Sequence, residues 1–89
     1  MAKAKKILDK MGANPQNDWK IKDVQTVCEY CNLECAPPSG GGSHWKVSSE
    51  HLEGILTIPS NRPIKAIYIK KLIGYISAHQ DAEEDNGDG

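Results

Sequence analysis

The chain predicts an α+β fold: a helix, a three-stranded antiparallel sheet and a closing helix, with one short extra helix in front. Three observations carry this. Apolar residues recur at helical spacing in two outer stretches, residues 22–31 and 65–78; a period of two governs the stretch around Ser43–Ser48; and clusters of Asn, Pro and Gly punctuate the chain between them. A chain of 89 residues builds one modest core, which places the helices on a single face of the sheet.

In the extra helix, Lys3 to Met11, Ile7 and Met11 stand four apart with Ala4 a turn earlier, and Gly12 with Asn14-Pro15 stops it. Lys3, Lys6 and Lys10 occupy another face, as a solvated surface or as phosphate contacts. Pro15 holds Asn14 out of the helical region and opens a turn to Asp18, after which Trp19 and Ile21 alternate with Lys20 and Lys22 as a short extended stretch. Val24, Val27, Cys28 and Cys31 then form the apolar stripe of a helix over Lys22–Cys31, with Asp23 favouring its N-terminus and Asn32 suited to a left-handed end. Leu33 and Cys35 mark a first strand. A strand over Ser43–Ser48 leads through Ser49-Glu50-His51 into another over Leu52–Ile58, and Pro59 to Pro63 breaks the pattern. The last helix, Lys65–Ala78, places Ile69, Leu72, Ile73 and Ile76 at core spacing.

The organisation is therefore an N-terminal helical extension over residues 1–13, a folded domain over 14–80 and an acidic tail over 81–89, expected to be disordered. The tail holds five of the twelve acids and no base, which leaves the remainder with eleven Lys and Arg against seven acids. The net charge of −1 thus averages a mildly basic domain with an acidic appendage, and the domain's sign favours a polyanionic partner. No run approaches the ~18 apolar residues that a membrane span requires. The N-terminus lacks a signal-peptide core, and three cysteines suit a reducing compartment. The expectation is a cytoplasmic protein with no membrane association.

Ser39-Gly40-Gly41-Gly42-Ser43-His44 carries the chemistry. Glycines let backbone N–H groups approach an anion, and a strand beginning at Ser43 sends His44, Lys46 and Ser48 to one face and Trp45 and Val47 to the other. With an unperturbed pKa of about 6.5, an exposed histidine exchanges protons at cellular pH. Cys28-x-x-Cys31 with Cys35 and a histidine offers a zinc set, but Cys28 and Cys31 also continue the stripe of Val24 and Val27, and cysteine packs well as a small hydrophobe.

Several short blocks, in order, carry a resemblance. They are Asp18-Trp19-Lys20-Ile21-Lys22-Asp23-Val24, Gly41-Gly42-Ser43-His44, Leu56-Thr57-Ile58-Pro59, Arg62-Pro63-Ile64-Lys65 and Tyr68-Ile69-Lys70-Lys71-Leu72. From about Asn14 to Ala78 the chain resembles the HicA toxins of bacterial type II toxin–antitoxin pairs, small ribonucleases also called mRNA interferases. Asn32 stands where relatives often have glycine, and neither the cysteines nor the acidic tail belongs to the pattern.

The resemblance implies a double-stranded-RNA-binding-like α-β-β-β-α fold, cleavage of mRNA that depends on one histidine, matched here by His44, and a HicB-type antitoxin that covers the active site. RNA supplies its own nucleophile, the 2′-hydroxyl, so neither metal nor cofactor is expected. Gly41, Gly42, Ser43 and Lys46 are the expected phosphate-holding groups, with Lys65 and Lys70 as further RNA contacts. Two alternatives use the same surface: an RNA-binding module of this fold without catalysis, and a domain whose ligand is another polypeptide.

Overall fold

The computed structural model describes residues 2–87. Three helices, α1 (Ala2–Ala13), α2 (Ile21–Tyr30) and α3 (Ala66–Gly87), accompany three strands, β1 (Glu34–Ala36), β2 (His44–Ser48) and β3 (Leu56–Pro59). The strands form one antiparallel sheet in the order β1-β2-β3. The fold is α+β, as the sequence predicts.

Each helix forms where its apolar stripe can be buried. In α1, Met11 is fully buried while Ile7 and Leu8 pack beside it, so the N-terminal extension contributes to the common core. The Asn14 N–H returns to the Lys10 carbonyl at 2.7 Å, closing α1 before Pro15. Trp19 is buried in the link that follows, and its indole N–H donates to the Asn14 carbonyl at 2.8 Å. The Asp23 carboxylate accepts the Lys20 N–H at 3.1 Å in the first turn of α2, and Val24, Val27 and Cys28 face inward. Asn32 ends this helix at φ 61°, the left-handed position read from the sequence.

Register fixes the sheet's two faces. Cys35 opposes Val47, which opposes Leu56, and Trp45 opposes Ile58; Val47 and Ile58 are fully buried under the helices. The other face carries Ala36, Lys46 and Thr57 in one row, with His44 opposite Pro59. Pro59 is tolerated because β3 is an edge strand and Pro59 is its last residue. Ile69, Leu72 and Ile76 of α3 complete the core. Among the described residues no helix is long and apolar enough to cross a membrane.

Three sequence expectations are corrected. Ile21 and Lys22 belong to α2, so the extended stretch ends at Lys20, the residue before the helix. Strand β3 begins at Leu56 rather than Leu52: residues 49–55 form a loop in which Gly54 accepts a hydrogen bond from the Tyr75 hydroxyl at 2.6 Å, and Ile55 is 62% exposed. Helix α3 runs on past Ala78 through residues 81–87, where the composition favours disorder; residues 88–89 lie outside the described residues. Propagating a helix already anchored by Ile69, Leu72 and Ile76 requires no new nucleus, and Ala82, Glu83 and Glu84 are good helix formers.

The cysteines pack as hydrophobes. Cys28 is buried on α2, Cys31 is buried just past its end, and Cys35 is half-buried on β1. The neighbouring Cys35 thiol and then burial push Cys28 far up, whereas the Cys28 thiol lowers Cys35. Burial, with the Glu83 charge, raises Cys31.

Two outcomes follow from this packing. Leu72→Ala lowers the unfolding free energy by about 2–5 kcal/mol in urea titrations, whereas Ile67→Ala, at a 56% exposed position, changes it by no more than about 0.5 kcal/mol. Under iodoacetamide, mass spectrometry of the native protein finds Cys35 alkylated first, because the thiolate is the reactive species, and Cys28 modified only on unfolding.

Candidate functional site

His44 begins the central strand β2 and is exposed on the open face of the sheet. Two elements hold it there. Along the strand, Val47 is fully buried and Trp45 lies half-buried on the same face opposite Ile58, and across the sheet the Ser60 N–H donates to the Ser43 carbonyl at 2.7 Å, pinning the start of β2 to the end of β3. Lys46 is exposed on the same face, two residues or about 7 Å along the strand.

A cavity of about 180 Å³ opens beside this histidine, lined by His44, Pro59, Asn61, Pro63, Ile64, Lys65 and Tyr68. The turn that builds it is tied down from below: the Ile64 N–H donates to the Trp19 carbonyl at 2.9 Å, and the Ile64 side chain is 2% exposed. The Lys65 carbonyl accepts the N–H groups of Tyr68 (3.0 Å) and Ile69 (3.3 Å), so Lys65 stands at the N-terminus of α3. The first turn of that helix contains no acid, and the partial positive charge of its N–H groups is left for an external anion.

The sequence-predicted residues separate into two groups. His44 and Lys65 meet at the cavity. Gly41, Gly42 and Ser43 lead directly into His44, and Gly40 and Gly41 adopt φ of 78° and 82°, which side-chain-bearing residues rarely do. The glycines do not line the cavity, and neither do Lys46, which flanks it on the sheet, or Lys70, exposed one turn into α3. Asn61 and Tyr68 are cavity residues that patterning missed, because Asn61 reads as a turn former and Tyr68 as the flank of a core stripe.

The opposite end of β2 holds a second cluster. Ser49 Oγ accepts the His51 N–H at 3.0 Å and shares a 2.6 Å hydrogen bond with Nδ1 of His79, which is completely buried on α3. His79 Nε2 lies 3.5 Å from Glu83 Oε1 one turn along the helix, and the His51 and His79 ring centres are 5.4 Å apart. A concavity of about 500 Å³ nearby is lined by Asn32, Glu34, Ser48, Ser49, Glu50 and Glu83. Three carboxylates there repel a polyanion, so the smaller cavity at His44 is the better candidate for phosphate chemistry. His51 is separated from His44 by the length of β2, about 13 Å for four residue steps. Among the described residues no His, Cys, Asp and Glu side chains are grouped to hold a metal ion.

No family model, curated protein or solved structure matches this chain.

The Ser49–His79 bond joins the loop after β2 to α3. Ser49→Ala leaves a buried ring nitrogen without its partner and lowers stability by roughly 1–3 kcal/mol in urea denaturation.

Proposed function

We propose that this chain is a metal-independent endoribonuclease of the HicA type, the toxin of a type II toxin–antitoxin pair, which cleaves mRNA and is neutralised by a HicB-type antitoxin laid over the open sheet face. The reading rests on one observation above the rest: an exposed histidine, His44, sits at the rim of a cavity whose far wall brings Lys65 and the N-terminus of a long helix. The order α2-β1-β2-β3-α3, with one sheet face open, also supports a double-stranded-RNA-binding-like arrangement, to which α1 is an addition.

The chemistry needs three things. A proton must leave the ribose 2′-hydroxyl, the charge that gathers on the phosphoryl oxygens must be met, and the departing 5′-oxygen must be protonated. Attack of the 2′-oxygen on phosphorus forms a 2′,3′-cyclic phosphate as the bond to the 5′-oxygen breaks. His44 is the proton carrier, as base towards the 2′-hydroxyl or as acid towards the leaving oxygen, with water taking the other transfer, a role worth on the order of 10² to 10⁴ in rate. Lys65 and the N–H groups opening α3 meet the phosphate charge from one side, Lys46 from the other. The turn at Gly41–Ser43 lets the strand carrying His44 start close beside the RNA backbone, and Lys70 reaches a phosphate further along.

Induced in bacteria, the chain is expected to arrest growth and to leave RNA fragments with 2′,3′-cyclic phosphate and 5′-hydroxyl ends, unaffected by EDTA. His44→Ala, checked as folded by circular dichroism, lowers cleavage about 10²- to 10⁴-fold. Fragments with 5′-phosphate ends that require added magnesium would overturn the scheme. Tight, salt-sensitive RNA binding with no cleavage would return the non-catalytic RNA-binding module instead.

A further inference from the structure

We infer that the cavity beside His44 is a pocket for one unpaired nucleobase next to the cleaved phosphate, with adenine preferred through the side-chain amide of Asn61. The inference rests on the ribonuclease reading of His44 and gives that site a sequence preference.

Size comes first. At about 180 Å³ the cavity holds about six waters at ~30 Å³ each and falls below the ~300–1,000 Å³ of pockets for drug-sized ligands. A single planar heterocycle fits this space. The walls suit one: Pro59, Pro63 and Ile64 are apolar, and Tyr68 adds an aromatic ring whose other contacts are with the core. An unstacked base is held in this way, on aromatic and apolar surface with polar groups at its edge.

Polar capacity comes second. Among the described residues the side chains of His44, Asn61, Lys65 and Tyr68 have no hydrogen-bond or ion-pair partner within the chain. Four groups able to donate or accept therefore converge on one small cavity with that ability unspent. An amide presents a donor beside an acceptor. That pair matches adenine on both of its edges, where the amino group donates beside N7 or N1, whereas guanine offers a matching pair only on its Watson–Crick edge and two adjacent acceptors on the other. The larger purine face also stacks more fully on Tyr68 than a pyrimidine does. Lys65, with its ammonium, suits the phosphate attached to the same nucleotide, which brings that phosphate towards His44.

Preorganisation comes third. Residues 60–64 are anchored at both ends, by the Ser60 N–H on the Ser43 carbonyl and the Ile64 N–H on the Trp19 carbonyl. The base enters a formed pocket, so the contacts are not offset by the cost of ordering a loop.

The test is titration of the full chain with AMP, GMP, CMP and UMP, followed by amide chemical shifts, beside cleavage-site mapping on single-stranded RNA. AMP is expected to shift the amides between Ser60 and Tyr68 and to bind more tightly than the other three. Asn61→Asp, an isosteric change at an exposed position, removes the donor. It should weaken AMP about tenfold and move the preference towards guanine, whose N1–H and amino group donate to the two carboxylate oxygens. Tyr68→Ala weakens all four by on the order of tenfold. No shift between Ser60 and Tyr68 with any nucleotide, or an Asn61→Asp protein with unchanged preference, overturns the pocket even if RNA is still cut. Base-selective shifts in a chain that cuts no RNA uphold the pocket and remove the ribonuclease reading.

Discussion

The alternation along β2 is the constraint on which the rest depends. Val47 enters the core between Cys35 on one side and Leu56 on the other, and Trp45 lies half-buried on the same face, opposite Ile58. His44 and Lys46 have no choice but to face outward. A slip of one residue would exchange the faces, burying a histidine and a lysine while exposing a tryptophan and a valine. The hydrophobic effect acting on two side chains thus sets the position of a group that touches neither of them. Site and core are two faces of one strand, and the sheet cannot keep its packing while losing its histidine's placement.

How much of this was legible in the sequence follows from the range of the forces involved. The period of two over residues 43–48, the stripe of α2 and the start of α3 are local, and the structure has them within a residue or two of their expected positions. Asn32 at φ 61° was legible for the same reason, since a left-handed position selects its occupant locally. The start of β3 was not, because Leu52 fits an alternating pattern and only the Tyr75 hydroxyl, 21 residues away from Gly54, shows why the preceding segment is a loop. The continuation of α3 was hidden by charge, which argues for disorder in an isolated segment but not in one joined to a packed helix.

The candidate site divides in the same way. His44 and Lys65 stand out by residue type, and the structure brings them to one cavity. Asn61 and Tyr68 gain meaning only when the turn after β3 folds back towards Trp19, a contact between residues 45 apart that no spacing rule reaches. The glycine run, the most conspicuous feature of the sequence, shapes the approach to β2 and stays outside the cavity wall. Conspicuous composition marked where the backbone bends; tertiary contact decided which side chains share a space.

Helix α3 has a further consequence at the scale of the whole molecule. Its 22 residues span about 33 Å of a body whose longest extent is 40 Å, with Lys65, Lys70 and Lys71 at one end and Asp81, Glu83 and Glu84 at the other. Charge and peptide dipoles add along this helix, giving α3 a positive end at the cavity and a negative end away from it. In the field of a polyanion such a helix adds a torque to the pull, turning its N-terminal end towards the negative charge. The acidic end, which makes the net charge slightly negative, therefore lowers the overall attraction while sharpening the aim.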